Sequence, residues 1–124
     1  GSQLTTDAES IGYKQKTARG EDLLTGYSKI VRMGPGEIYA GGTTLAEREV
    51  PRIGIGVIIE RAKEEDTEWS FYDTWQKFNE NADRVSSKKY LDVEGDYYYR
   101  VRCIHSAGND MGSSFTNGVY IEEP

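Results

Sequence analysis

Residues 94–108 read EGDYYYRVRCIHSAG, and the alternation within them decides the fold. Successive side chains on a strand point to opposite faces. Tyr97, Tyr99, Val101 and Cys103 therefore share one face, apolar enough to be a core, while Tyr98, Arg100, Arg102 and Ile104 mark the other as a solvated sheet surface. His105 continues the core row, at the point where Ser106 and Gly108 fray the pattern. The stretch also holds the only cysteine and the only histidine of the chain, two positions apart. That spacing on a strand points both side chains the same way, which makes a thiolate–imidazole pair geometrically conceivable. The simpler reading is structural: Cys103 as a buried, slow-reacting thiol beside a strand-end histidine. A serine nucleophile paired with His105, either Ser106 or Ser113, lacks the elbow motif that would expose it.

Outward from this strand, turn signals separate further runs of strand character. YSKIVRM (27–33) ends at Gly34-Pro35-Gly36, EIYAGGTTLAE (37–47) carries Gly41-Gly42 as the mark of a bulge or bend, and RIGIGVIIERA (52–62) follows Pro51. The charged KEEDTE (63–68) reads as a hairpin loop into WSFYDTWQKFN (69–79). RVSSKKYLDV (84–93) precedes the central strand, and GNDMGSS turns the chain into FTNGVYIEE (115–123). Tyr72, Trp75 and Phe78 stand three apart, so residues 73–83 have a short helix as their rival reading, with strand preferred. These runs predict an all-β fold, an antiparallel two-sheet β-sandwich of about seven strands. It occupies 23–124, behind a polar lead-in or linker at 1–22 that shows neither period. Gly1-Ser2 has the look of a scar left by an expression vector.

The run VEGDYYYRVRCIHSAG resembles the E–F corner and F strand of fibronectin type III domains, relatives of the immunoglobulin sandwich. Val93, Gly95, Tyr97, Tyr99, Val101 and Cys103 take the places of that pattern, and the resemblance makes Tyr97 the corner tyrosine, its hydroxyl bonded to backbone upstream. IGVIIERA and EWSFYDTW are similar to the C and C′ strands, and FTNGVYIEE to strand G. The proline-rich first strand and the strand B tryptophan of that family are missing. The same residues are more similar still to small exported domains of Gram-positive bacteria that carry G-Y-Y-Y-R-V-R-A-x-H-S-A and S-x-T-N-G-I-x-I and have no assigned activity. Asp96 and Cys103 depart from that pattern. This second likeness implies a secreted or cell-surface location and brings no catalytic residues.

Twenty-one acids against fifteen bases leave a net charge of −6, which repels phosphate backbones and argues against nucleic acid as a partner. No apolar run reaches the length of a membrane span or a signal peptide. A lone cysteine forms no intrachain disulfide, and one cysteine with one histidine is too few for an ordinary zinc site. RIGIGVII mimics the start of a dinucleotide fingerprint but lacks its third glycine and the following helix. Its glycines fit instead the outer face of a strand, with Gly54, Gly56, Ile58 and Glu60 in one row. The acidic segments EEDTE, NENAD and GND lack the spacing of a calcium loop, so no cofactor or metal is expected. Paired carboxylates for glycoside hydrolysis are plentiful by count, yet only Asp73 is embedded among aromatics.

WSFYDTW (69–75) is the candidate binding surface. A regular strand cannot turn Trp69, Phe71, Tyr72 and Trp75 all toward one core, so one or two should be exposed. Trp69, Tyr72 and Trp75 would then stack on a glycan or a partner protein. The expected function is a non-catalytic extracellular binding or adhesion module of a Gram-positive bacterium. The alternative is a passive structural or spacer domain, which becomes the better reading if both tryptophans are core. A small hydrolase is the least supported of the three.

Overall fold

The structure is a computed structural model that describes residues 1–15 and 22–124, with Leu24 described in its backbone only. The described residues are all-β, without a helix. The strands are β1 (Leu4–Thr5), β2 (Glu9–Tyr13), β3 (Leu23–Gly34), β4 (Glu37–Ala62), β5 (Ser70–Asp92), β6 (Tyr97–Ala107), β7 (Asp110–Phe115) and β8 (Gly118–Ile121). They form one curled mixed sheet, a half-barrel, in the order β1-β8-β6-β4-β3-β2, with β5 also on β4 and β7 also on β6. β1 runs parallel to β8, and every other pair is antiparallel. The pairings thus describe one continuous sheet rather than the two separate antiparallel sheets expected.

The reason lies in β4 and β5, which the sequence divides into four short runs. The first part of β4 pairs with β3 on one side and with the end of β5 on the other. Its second part pairs with β6 and with the start of β5. Between the two, Leu45 faces Arg84 and Val50 faces Ala82, so Ala46–Glu49 lie opposite Asp83 alone. A surplus of residues on one strand bends a ladder. Asn81 with φ of 48° takes up the curvature on β5, and Pro51 stands beside the bend on β4. The expected bulge at Gly41-Gly42 is not there: both residues pair in unbroken register with β3 and β5. Gly42 serves close approach instead. A Cβ at that position would lie 2.8 Å from Cys103 Sγ and 2.3 Å from the Tyr27 carbonyl oxygen.

The bend brings the inner faces of the two halves together. Ile30, Ile38, Ala40 and Val85 come from the first half. Ile53, Ile55, Val57, Ile59, Tyr99, Val101 and Cys103 come from the second, all of them buried. β6 alternates without a break between inward and half-exposed positions from Tyr99 to Ala107. Two boundaries move from their expected places. The lead-in at 1–22 contributes β2, which pairs along the edge of β3, and β1, which pairs with β8, while residues 16–21 lie outside the described residues. GNDMGSS turns only at its start, around Gly108 with φ of 59°, and the rest forms β7 against β6. The corner hydroxyl also differs. Tyr99, not Tyr97, donates to the Glu94 carbonyl oxygen, because the deeper of the two same-face rings is the one that lies beneath the turn.

Candidate functional site

Three places hold the chemistry of this fold: the polar centre of the core, the tryptophan run, and the outer faces of the two halves. The polar centre is built on His105, which β6 turns fully inward. Its Nε2 lies 2.8 Å from Ser114 Oγ on β7, and its Nδ1 lies 2.7 Å from Thr44 Oγ1 on β4. Ser114 Oγ in turn lies 2.7 Å from Ser28 Oγ on β3. The imidazole therefore ties the two halves of the sheet together. Gly26 makes room for it, since a Cβ there would stand 2.4 Å from Nδ1.

A serine 2.8 Å from an imidazole has the spacing of a nucleophile and its base. Here the pair is sealed: His105 is 0% exposed and Ser114 2%. Burial, with a smaller contribution from Lys14, pulls the imidazole down to about 4. Burial pushes the Cys103 thiol up to about 12. Cys103 faces Gly42 and His105 faces Thr44, so the two side chains serve different contacts rather than each other. The serine partner is Ser114 instead of Ser106 or Ser113, because Ser113 pairs with the outward Ile104 and Ser106 is itself outward.

The tryptophan run divides between opposite faces. A register shift after Ile59 places Tyr72 at an irregular position. Its ring meets Tyr99 edge-on at 5.4 Å, its hydroxyl accepts from the Glu94 N–H at 3.4 Å, and Arg61 lies over it at 4.8 Å. Trp75 pairs with Val57 and packs against the core, its Nε1–H donating to Ser87 Oγ at 2.9 Å. Trp69 lies on the Arg100 guanidinium at 4.7 Å and over Gly118. Arg100 and Arg102 share the Glu60 carboxylate at 2.8 and 3.3 Å. Trp69, Tyr72 and Trp75 are thus half-buried, each committed to an internal contact, and they are not brought together as one platform. Phe71 is the open ring of the run, 65% exposed.

The outer face of the second half carries a shallow, largely apolar groove of about 670 Å³ between Ile58, Phe78, Ile104 and Met111, with Gly56 at its floor. Arg52 covers the Phe78 ring at 4.0 Å. The outer face of the first half is different in kind. Lys29 on β3, Gly41 on β4 and Lys88 on β5 form one row across the strands. A tyrosine pair flanks the row on each side. Tyr13 and Tyr27 lie 6.0 Å apart, and Tyr39 and Tyr90 meet edge-on at 5.4 Å. Tyr13 and Tyr90 are about two-thirds open to solvent. A depression of about 420 Å³ lies among Tyr27, Tyr39, Thr43, Ser86 and Lys88. The signal for this face is present in the sequence as Tyr27-x-Lys29 and Lys88-x-Tyr90, two-residue spacings that put ring and cation on one side of a strand.

Among the described residues no three His, Cys, Asp or Glu side chains are placed to hold a metal ion. No family model, curated protein or solved structure matches this chain.

Proposed function

We propose that the chain is a non-catalytic binding module, exported to the cell surface or beyond, that takes a glycan on the outer face of its first half. One observation carries this reading: the thiol and the histidine–serine pair are sealed in the core, whereas tyrosines and lysines are ordered in rows on an open sheet face. Rings on a rigid sheet offer flat stacking surfaces at little cost in side-chain entropy, and neighbouring hydroxyls and ammonium groups supply directional bonds. The likeness of 93–108 to fibronectin type III and exported bacterial domains supports the extracellular setting, with the two facing halves of the curled sheet standing for the two layers of such a sandwich. The tryptophans give this reading less support than the sequence promised, since each has an internal partner.

The test is affinity electrophoresis of the purified protein through gels that contain soluble polysaccharides, neutral and acidic. Retardation is expected in at least one gel, and it should be lost in a Tyr13→Ala, Tyr90→Ala double variant whose melting temperature is nearly unchanged. Passage through every gel without retardation would move the chain to the class of passive spacer domains.

A further inference from the structure

We infer that the glycan is an acidic polysaccharide, one bearing a carboxylate at about every second sugar, and that Lys29 and Lys88 read its charge. The inference rests on the glycan-binding reading and deepens it. The protein carries a net charge of −6, so an ordered group of cations on one face runs against its overall field. Lys29 and Lys88 stand in the same row with one strand between them, so their Cα atoms are about 10 Å apart, two inter-strand spacings. That is close to the length of a disaccharide unit. Lys29 is held in place from two sides, by Glu9 at 3.6 Å and over the Tyr39 ring at 5.6 Å. Lys88 lines the depression beside Tyr27 and Tyr39, and Lys77 reaches the same depression from the first part of β5.

Between the two lysines the row holds Gly41, which is buried against the Ser87–Lys88 backbone and adds no side chain of its own, so a chain laid along the row meets no third side chain between the two ammonium groups. The tyrosine pairs on both sides then face sugar rings rather than charges. A single-stranded nucleic acid also combines stacking with anionic charge, but it carries a phosphate at every nucleotide and is bound by a groove of cations that tracks the backbone. Cations on alternate strands match the sparser charge of a uronate-containing polymer.

The experiment compares three probes in the same titration at low salt: a polyuronate, the same polymer after carboxyl reduction, and an oligothymidylate. The polyuronate is expected to bind about fivefold more tightly than its reduced form, the most that one exposed ion pair makes. The preference should vanish at high salt and in Lys88→Glu, whose melting temperature should stay near that of the parent because the side chain is exposed. Equal affinity for the two polymers, or an unchanged preference in Lys88→Glu, would overturn the charge reading while leaving the glycan-binding reading intact. Tighter binding of the oligothymidylate would assign the face to nucleic acid. Binding of none of the three, together with no retardation by neutral polysaccharides, would end both readings.

Discussion

The hydroxyl of Tyr99 is the residue-scale feature that most directly joins sequence to fold. Tyr97 and Tyr99 lie on the same face, and parity alone cannot choose between them. The choice is made by depth: Tyr99 is fully buried beneath the turn at 94–96, and its hydroxyl donates to the Glu94 carbonyl oxygen while receiving Arg61 Nη1 at 3.5 Å. Burial accordingly pushes its phenol up to about 12. Tyr97 lies nearer the surface, with the Arg61 guanidinium and the Lys63 ammonium each 4.0 Å from its ring. Those contacts belong to the ring and survive loss of the hydroxyl. Tyr99→Phe is therefore expected to cost about 1–2 kcal/mol, and Tyr97→Phe less than about 0.5 kcal/mol, in urea denaturation. The reverse order would show that the corner bond belongs to Tyr97 after all.

At the scale of elements, His105 makes β6 and β7 depend on β3 and β4. Its two hydroxyl partners come from β4 and β7, Ser114 carries the network on to Ser28 of β3, and Lys14 is the nearby cation that adds to the desolvation. The sign of the resulting pH dependence follows from the lowered pKa. In the unfolded chain the imidazole takes a proton near pH 6.5, and in the fold only near pH 4. Between these values the unfolded state binds the proton and the folded state does not, so stability is full above about pH 6.5 and falls as the pH drops. The loss by pH 4 should approach roughly 3 kcal/mol, read as a shift of the urea midpoint between pH 7.5 and pH 4. A midpoint that is flat across this window would mean that the imidazole is charged or solvated in the fold. The burial of His105 was legible as the continuation of an alternating row. Its partners were not, because Thr44 lies 61 positions away and reaches it only through the bend in β4.

For the whole molecule, the decisive feature is that β4 and β5 run through both halves of the sheet. The two halves share both long strands and one buried core, so the two should melt as one unit. The tryptophans report on this directly. Trp69 rests on β6 and β8, and Trp75 spans the halves through Ser87. Fluorescence and far-ultraviolet dichroism are therefore expected to give superimposable denaturation curves, the sign of a two-state transition. Two separated transitions would show that the bend is a domain boundary. The chain ends also meet, with Ser2 Oγ donating to the Thr116 carbonyl oxygen and Gln3 N–H to Asn117 Oδ1. Pairings of such sequence separation place folding in the millisecond-to-second range of all-β domains.

The sequence by itself determined the strand character of β3, β4, β5, β6 and β8, the inward row of β6, and the burial of Cys103. Each of these depends on local alternation and on turn residues, which act within a few positions along the chain. Only the tertiary structure decided that four predicted runs are two long bent strands, that the polar lead-in supplies β1 and β2, and that Trp69 and Trp75 are held internally. It also decided that Tyr13, Tyr27, Tyr39 and Tyr90 gather on one face. Alternation states which side of its own strand a residue takes, but not which strand lies next to it. That depends on register across distant segments, and register is set by the packing of the whole core.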